Sequence, residues 1–207
     1  MARYIGPDCR LCRRAGQKLL LKGIRCSTPK CALEKRATVP GGYRSRRRLS
    51  ERGIQLREKQ KARHTYGIFE RQFRRLFVEA ERQGGISSEN LIRLLEARLD
   101  NTVYRLGFAV SRDQARQMVR HGHFTVNNAR ADIPSQELKP GDVVGWSSSG
   151  LKSPRHKELV ESGVEVVVPT WLSLDKVNFT GAVTSIPSAG DSDVEFDANA
   201  IVEYYSR

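Results

Sequence analysis

The chain has no long apolar segment, no cysteine beyond residue 31 and few acidic residues in its first third. No apolar run approaches the roughly 20 residues that a transmembrane helix requires, so the sequence predicts no membrane span. The opening, Met1 to Asp8, has no apolar core and does not resemble a signal peptide. These absences predict a cytoplasmic protein whose thiols stay reduced.

Catalytic constellations are also absent from the sequence. No Ser/His/Asp or Cys/His arrangement, glycine-rich phosphate loop or paired-carboxylate cleft is apparent, so we expect neither catalysis nor a small-molecule substrate. An RNA-modifying enzyme would need a separate catalytic domain, for which 207 residues leave little room. A metal-finger DNA regulator is the other alternative, and it would carry base-reading residues on a helix tied to its metal site.

Positive charge is concentrated at the beginning of the chain. Residues 1–75 carry 22 Lys and Arg against 5 Asp and Glu, a net charge of +17, whereas residues 76–207 carry 14 against 18, a net charge of −4. A basic third on a nearly neutral body predicts binding to a polyanion, either nucleic acid or an anionic membrane surface.

Four cysteines lie within this basic third, as a Cys-x2-Cys pair and a Cys-x4-Cys pair: Cys9, Cys12, Cys26 and Cys31. This spacing is typical of a tetrathiolate metal site, and zinc is the default ion. An iron–sulfur cluster uses the same four ligands, and two structural disulfides are the remaining alternative. The surrounding cations outweigh the small negative charge of either metal centre; they are Arg10, Arg13, Arg14, Lys18, Lys22 and Arg25.

Two further groups of arginines lie in the first half of the sequence. Arg44, Arg46, Arg47 and Arg48 follow a Pro-Gly-Gly break, and because like charges this dense repel one another, they predict phosphate contact. Ser50 is a candidate cap for the helix that follows them. In the next helix, Phe69, Phe73, Leu76, Phe77 and Ala80 form an apolar core stripe, and Arg71, Arg74 and Arg75 fall outside it.

The middle of the sequence predicts two basic helices followed by a hairpin. A helix from Ser87 or Ser88 to Gly107 would carry Arg98 and Arg105 on one face. The next helix opens with a Ser111–Gln114 capping box, and Arg112, Arg116 and Arg120 recur at every fourth residue as a basic ridge. His121 and His123 would reach toward phosphate from its C-terminus. A strand at 124–126, a turn at 127–128 and a strand at 143–144 follow.

The remaining segments carry weaker signals. Residues 145–154 predict a flexible loop and residues 164–168 a strand that ends at Pro169. Residues 185–196 are irregular and acidic, and residues 201–205 alternate enough to predict a docking strand.

The run Arg98 to Phe108, continued by Ser111 to His123 and by Val126-Asn127, resembles a small RNA-binding module shared by several translation-associated families. In that module two helices and a β-turn-β element present one basic face to folded RNA. By matching position, the resemblance implies an RNA face of Arg98, Arg105, Ser111, Arg112, Gln114, Arg116, Gln117, Arg120, His121 and His123.

Four further segments extend the resemblance to the whole chain: Met-Ala-Arg-Tyr-x-Gly-Pro at the start, residues 56–63, residues 69–75 and the terminal Ile-Val-Glu-Tyr-Tyr-Ser-Arg. They look like the bacterial small-subunit ribosomal protein family number four, in its four-cysteine metal-binding subset. On this basis the candidate RNA-binding residues outside the module are Arg3, Arg10, Arg13, Arg14, Lys22, Arg44, Arg46, Arg47, Arg48, Lys59, Arg63, Arg71 and Arg74.

The resemblance implies a structural constituent of the small ribosomal subunit that binds the five-helix junction in the 5′ domain of ribosomal RNA early in assembly. Its implied partners are small-subunit protein number five, other neighbouring ribosomal proteins and messenger RNA where it enters the subunit, with a role in translational accuracy. The expected fold is α+β. It comprises a metal-stabilised basic segment (1–45), a helical domain (46–96) completed by residues 175–207, a helix-helix-β-hairpin RNA-binding module (97–160) and a connection (161–174).

Overall fold

The computed structural model describes residues 4–41, 49–163, 166–193 and 195–206. The chain divides into two compact units. Unit 1 combines the residues up to Ile92 with those from Ser192 onward, and unit 2 runs from Arg93 to Asp191. Helices together with one small sheet confirm the predicted α+β class.

The elements follow one another along the chain with short connections. They are α1 (Asp8–Ala15), α2 (Ile24–Ser27), α3 (Ala32–Lys35), α4 (Glu51–Thr65), α5 (Glu70–Arg82), α6 (Ser87–Glu96), α7 (Leu99–Arg105), α8 (Arg112–Arg120), β1 (Phe124–Val126), β2 (Ala129–Ala131), β3 (Val143–Trp146), α9 (Ser148–Leu151), α10 (Pro154–Ser162), β4 (Leu172–Asp175), β5 (Thr180–Val183) and α11 (Ala198–Tyr205), with a 3-10 turn at Ala189–Asp191 between β5 and α11.

Helices α4 and α5 of unit 1 follow the sequence signals closely. The Ser50 hydroxyl accepts a hydrogen bond from the Gly53 N–H at 3.2 Å, which confirms the predicted cap of α4. On α5, Phe73, Phe77 and Ala80 are buried, as the apolar stripe predicts. The prediction is wrong for Phe69, which is exposed at the N-cap of the helix, and Leu76 is only partly buried. The three arginines that fall outside that stripe are exposed: Arg71, Arg74 and Arg75.

Helix α11 packs against α4 and α5 in unit 1. The Tyr205 ring stacks on Phe77 with ring centroids 4.5 Å apart. The strand predicted for residues 201–205 is therefore wrong. The Asp197 carboxylate caps the helix by accepting from the Asn199 and Ala200 N–H groups, at 2.9 and 3.1 Å. A five-residue alternation of apolar and polar side chains is a weaker signal for a strand than this cap is for a helix.

The single helix predicted between residues 87 and 107 is two helices, α6 and α7. Arg98 separates them with an extended backbone and forms an isolated antiparallel bridge with Glu137. The Leu138 N–H donates to the Ala97 carbonyl and the Leu99 N–H to the Gln136 carbonyl, both at 2.8 Å. The apolar residues Leu91, Leu95 and Leu99 continue at helical spacing through the break, so the sequence pattern does not reveal it.

Five antiparallel strands form the sheet of unit 2, in the order β2-β1-β3-β5-β4. β1 and β2 are joined by Asn127 and Asn128, which both have positive φ, 50° and 66°. This two-residue turn confirms the predicted one, and asparagine tolerates its left-handed backbone better than most residues do.

Strands β4 and β5 place residues 172–183 in unit 2, because β5 pairs with β3. The chain returns to unit 1 at Ser192, not at the predicted residue 175. The predicted loop at 145–154 instead contains the end of β3, helix α9 and the first residue of α10. Residues 166–169 form no strand, and residues 164 and 165 lie outside the described part of the chain.

The core of unit 2 lies between the sheet and its helices. Val103 from α7, Val119 from α8, Phe124 from β1, Val144 from β3 and Trp171 are each no more than 1% exposed. Across the described ranges, no helix is both long enough and apolar enough to cross a membrane.

Candidate nucleic-acid interface

The four cysteines of unit 1 share one neighbourhood. Cys12, Cys26 and Cys31 are buried, Cys9 is partly exposed, and all four are free thiols. Burial raises the pKa of Cys12, and the charges of Cys26, Cys9 and Cys31 raise it further. Burial also raises the pKa of Cys26, with charge effects from Cys31 and Cys9 in the same direction. Helix α1, which carries Cys9 and Cys12, contacts α3, which Cys31 precedes.

The chemistry of this donor set fits a thiophilic ion. The Lys22 N–H points at the Cys26 sulfur, 3.3 Å away, and a backbone hydrogen bond from Leu19 lowers the pKa of Cys12 against the effect of burial. Such N–H donors commonly stabilise metal-bound thiolates. As the side chains stand, no three or more His, Cys, Asp or Glu residues of the described chain are gathered closely enough to hold a metal ion.

The basic side chains around the cysteines face solvent. Arg10, Arg14, Lys22 and Arg25 are exposed and Arg13 is partly exposed. Lys22 lies 3.8 Å from Asp8 in a surface ion pair, which is a weak interaction in water. Five of the predicted RNA contacts, Arg3, Arg44, Arg46, Arg47 and Arg48, lie outside the residues that the structure describes.

Lys59 does not lie on an open surface. Its side chain is only 5% exposed and forms a 2.7 Å ion pair with Glu70. The same carboxylate accepts a 2.7 Å hydrogen bond from the Tyr205 hydroxyl, and the Lys59 ammonium lies 4.4 Å from the centre of the Tyr204 ring. Lys59 therefore helps to attach α11 to α4 and α5, which the sequence did not predict.

At the C-terminal end of α4, Arg63 and His64 form a second group of internal contacts. A guanidinium nitrogen of Arg63 lies 3.2 Å from the His64 Nε2 and another lies 3.6 Å from Glu70. Burial first, and then the charges of Arg63 and Arg14, lower the pKa of His64 to about 4. His64 is therefore neutral at physiological pH, surrounded by cations.

Unit 2 buries most of the ridge that the sequence predicted. Arg98, Arg112 and Arg116 are 2%, 7% and 5% exposed, so the expected open row of guanidinium groups on α8 is not present. Arg120, one turn further along α8, is exposed, as is Gln117. The burial of Arg112 and Arg116 follows from the acidic and amide side chains that α7 presents to α8.

Asp100 is the centre of this buried group, because it binds two arginines. It accepts two hydrogen bonds from Arg98, at 3.0 and 2.8 Å, and one from Arg116 at 3.1 Å. Burial lowers the pKa of Arg116, and the Asp100 charge opposes that shift. A buried cation is stable only when it is paired and hydrogen-bonded in this manner.

Glu96 anchors the other half of the network. Its side chain is fully buried and its carboxylate accepts from Arg105 at 3.0 Å and from Asn101 at 2.9 Å. Asn101 in turn accepts from Arg112 at 2.8 Å. Arg112 also lies 4.5 Å from the centre of the Tyr104 ring. The network fixes α8 against α7 and the residues before it.

The α8 cap agrees only in part with the predicted capping box. The Ser111 hydroxyl accepts from the Gln114 N–H at 3.3 Å, as predicted. The Gln114 side chain accepts from the Val110 N–H at 2.7 Å, one residue before the expected partner. Both side chains are engaged at the helix start and are partly buried.

The turn that follows α8 is an open basic surface of unit 2. Arg120, His121 and Arg130 are exposed there and His123 is partly buried. The His121 and His123 rings are 5.9 Å apart in an edge-to-face arrangement. Arg130 comes from β2 and was not among the predicted RNA contacts.

Comparisons with known proteins agree along the whole length of the chain. Residues 3–96 match the model of the ribosomal protein S4/S9 N-terminal domain, and residues 97–144 match the S4 domain. The "Small ribosomal subunit protein uS4" of Pelotomaculum thermopropionicum is 54% identical over 208 residues, and that of Heliobacterium modesticaldum is 52% identical over 208 residues. Each alignment covers 100% of both chains.

The chain belongs to the uS4 family. Within this uS4-family chain, the first matched region ends at residue 96, in α6, and the second ends at residue 144, inside β3. The sheet continues beyond the matched S4 domain, since β4 and β5 complete it.

Sequence reasoning missed the acidic residues that organise this uS4-family chain. Glu96 and Asp100 lie two residues on either side of Arg98, and that spacing was a usable signal for internal pairing. The contact between Asp100 and Arg116 spans 16 residues and depends on how α7 packs on α8. The position of Arg130 depends on the hairpin register, in which it pairs with Thr125.

Proposed function

We propose that this chain works as an RNA-binding structural component of the small ribosomal subunit, with small-subunit ribosomal RNA as its ligand. The observation that carries the proposal is the full-length identity of 52–54% to proteins named for that subunit. Family membership makes the chain a ribosomal structural protein and not an enzyme, located with the ribosome in the cytoplasm.

Exposed arginines supply the affinity in this proposal. Arg10, Arg14, Arg71, Arg74 and Arg75 are exposed on unit 1. Each guanidinium can donate two parallel hydrogen bonds to a phosphate and release condensed counterions from the RNA. Folded RNA is recognised mainly by its shape and backbone, so many phosphate contacts with little base readout suit this task.

Buried arginines have a different task, because they shape the surface that meets the RNA. The network of Glu96, Arg98, Asp100, Asn101 and Arg116 holds α7 and α8 in one arrangement. A surface that is fixed before binding loses less conformational entropy when the RNA arrives. We therefore assign Arg98 and Arg116 to the support of the RNA face, with Arg120, His121 and Arg130 as contacts.

The finer role that we propose is early assembly. The charge on residues 1–75 belongs to the protein itself, so binding to naked ribosomal RNA needs no earlier protein. The proposed target is the five-helix junction of the 5′ domain. Small-subunit protein number five, and messenger RNA where it enters the subunit, are the further proposed partners, and contact with protein number five would link the chain to translational accuracy.

We also propose a zinc ion on Cys9, Cys12, Cys26 and Cys31, with an iron–sulfur cluster as the alternative. Cys12 and Cys26 are buried thiols whose pKa values are raised by burial and by the charges of neighbouring cysteines, so they are costly to ionise without a cation. A bound ion would accept their negative charge and link α1 to the segment from Cys26 to Cys31. The Lys22 N–H would then stabilise the Cys26 sulfur from outside.

Elemental analysis and a visible absorption spectrum of anaerobically purified protein separate zinc from an iron–sulfur cluster. In Cys9→Ser and Cys26→Ser variants we expect faster proteolysis within residues 1–45, with the folding of unit 2 unchanged. The two tryptophans, Trp146 and Trp171, both belong to unit 2, so their fluorescence is the internal control. Unchanged proteolysis in both variants would exclude a structural metal.

The RNA proposal is tested by comparing the affinity of the purified chain for a 5′-domain ribosomal RNA fragment and for duplex DNA of equal length. At matched salt, we expect the ribosomal RNA to bind at least about tenfold more tightly without other ribosomal proteins, and the affinity to fall steeply as salt rises. Equal affinity for both nucleic acids, or binding only to RNA already loaded with other proteins, contradicts the proposed role.

A further inference from the structure

The turn between α8 and β1 carries two histidines on a tightly held backbone. Gly122 lies between them with φ +71°, a left-handed conformation that favours glycine. The His121 N–H donates to the Gln117 carbonyl at 3.0 Å, and the His123 N–H donates to the Met118 carbonyl at 3.2 Å. The backbone therefore fixes the origin of both side chains.

Ser147, which precedes α9, and Gly150, within α9, contact the backbone of this turn. The buried Ser147 hydroxyl donates to the Gly122 carbonyl at 2.8 Å, and the Ser147 N–H donates to the His123 carbonyl at 2.9 Å. Gly150 packs so closely that an added Cβ would lie 2.9 Å from the His123 carbonyl carbon. These contacts make the turn rigid, which the sequence prediction of a flexible loop at 145–154 did not foresee.

Arg130 reaches across the turn from β2. A Cβ added at Gly122 would lie 2.7 Å from the Arg130 guanidinium carbon, so the guanidinium group rests against the glycine. The charged and titratable groups that act on His123 are His121, at the end of α8, and Arg130, from β2, and α9 contributes the backbone of Ser149. The electrostatic effects of His121 and Arg130 both oppose protonation of His123.

The surroundings of His123 lower its pKa. Burial lowers the pKa of His123, the charges of His121 and Arg130 lower it further, and a hydrogen bond with the Ser149 backbone opposes the shift. The His123 Nδ1 is buried and has no hydrogen-bond partner in the described chain. A turn with these basic groups favours the binding of an anion.

We propose that the Gly122 turn is a binding site for one backbone phosphate of RNA, held between Arg130 and His121, and that its occupation is accompanied by proton uptake on the His121–His123 pair. The proposal deepens the function proposed above and rests on it. A guanidinium group and an imidazole N–H are both suitable donors to a phosphate oxygen. The phosphate would offset the repulsion among the three cations, so the bound state favours protonated histidine.

The expected sign follows from linkage. Because the histidines hold protons more tightly in the complex than in the free protein, binding is strengthened at low pH and weakens as pH rises through the pKa of the bound state. One proton taken up changes affinity by at most about tenfold per pH unit. For the full-length chain and a 5′-domain ribosomal RNA fragment at fixed ionic strength, we expect about a three- to tenfold loss of affinity between pH 5.5 and 7.5.

Variants separate this site from general electrostatics. The His121→Gln/His123→Gln double variant should bind with a much flatter pH dependence and approach the wild-type affinity at pH 8.5. Arg130→Gln should bind more weakly at every pH. The matched controls are Lys139→Gln, another exposed cation of unit 2, and His156→Gln, another histidine of unit 2, and both should keep the wild-type pH profile.

The outcomes distinguish this proposal from the one on which it rests. Wild-type pH dependence in the double variant overturns the proton-linked site while ribosomal RNA binding stands. Loss of affinity in Arg130→Gln no larger than in Lys139→Gln overturns the phosphate contact. Failure of the wild-type chain to bind ribosomal RNA at any pH overturns the proposed function itself. If tryptophan fluorescence shows that the double variant is unfolded, the single His121→Gln change at an exposed position decides the question.

Discussion

Helices α5 and α8 use arginine for opposite purposes. Both carry arginines at helical spacing, but α5 exposes Arg71, Arg74 and Arg75 to solvent, while α8 buries Arg112 and Arg116 and exposes only its last arginine. The difference lies in the neighbouring element, because α7 presents Asp100 and Asn101 to α8. Arginine spacing alone thus identifies a helix face, and nearby carboxylates decide whether that face binds a ligand or the protein itself.

We expect the largest effect from removing the carboxylate on which α8 depends. Asp100→Asn keeps the side-chain shape but removes the carboxylate that pairs with the buried guanidinium groups of Arg98 and Arg116. We expect unit 2 to lose about 3 to 5 kcal/mol of unfolding free energy, as when one partner of a buried ion pair is removed. Denaturant unfolding followed by tryptophan fluorescence measures this loss.

The matched control for Asp100 is Glu158→Gln in the same unit. Glu158 is 61% exposed and pairs with Arg155 at 2.9 Å on the surface. We expect a change below about 1 kcal/mol. A loss at Asp100 no larger than the loss at Glu158 would show that the network contributes little to stability.

For His64, a neutral base near Arg63 and Arg14 in unit 1, we expect an effect of intermediate size. Its pKa of about 4 in the folded chain lies below its ordinary value of 6.5. The unfolded chain therefore binds more protons in this window, and stability is lost as pH falls from about 6.5 to 4. We expect a loss on the order of 2 kcal/mol, allowing for partial exposure of the ring.

Hydrogen exchange of the α4 amides between pH 7 and pH 5, corrected for intrinsic exchange rates, measures the His64 effect in unit 1 alone. The difference between the wild type and His64→Gln isolates this histidine from other titrating groups. Parallel pH dependence in the two proteins would mean that burial of His64 is not coupled to folding.

Two matched substitutions, Arg74→Gln on α5 and Arg116→Gln on α8, test whether each arginine contacts RNA or the protein itself. Arg74→Gln should leave stability unchanged and reduce the salt slope of ribosomal RNA binding by about 0.7 to 0.9, the value for one phosphate contact. Arg116→Gln should destabilise unit 2, and under folding conditions its salt slope should stay near the wild-type value. A lower slope in Arg116→Gln at unchanged stability would restore the direct phosphate contact that the sequence predicted.

Local signals in the sequence predicted local structure well. The Ser50 cap, the buried stripe of α5 and the Asn127–Asn128 turn each depend on residues a few positions apart, and the structure contains all three. The buried arginines could not be predicted in the same way. A charged residue at helical spacing looks solvent-exposed unless its partner is known, and Asp100 meets Arg116 only after α7 and α8 pack together.

The error in assigning residues 175–183 to the wrong unit has the same physical origin. The β4–β5 hairpin joins unit 2 through a pairing with β3, about 40 residues earlier in the sequence, and no short-range pattern encodes that pairing. The α11 error is different, since the Asp197 cap was present in the sequence and outweighs a short alternation. The cysteine spacing and the family resemblance still predict a metal centre, which the experiments above can decide.

The return of the chain to unit 1 has a consequence for the order in which the protein folds during its own synthesis. Gln55 on α4 donates a 2.8 Å hydrogen bond to Glu203 on α11, across 148 positions of sequence. All of unit 2 emerges between these two partners, so it can fold while α4 and α5 still lack the helix that covers them. The apolar face of α5 then stays open to chaperones, and to wrong partners, until translation has passed Tyr205.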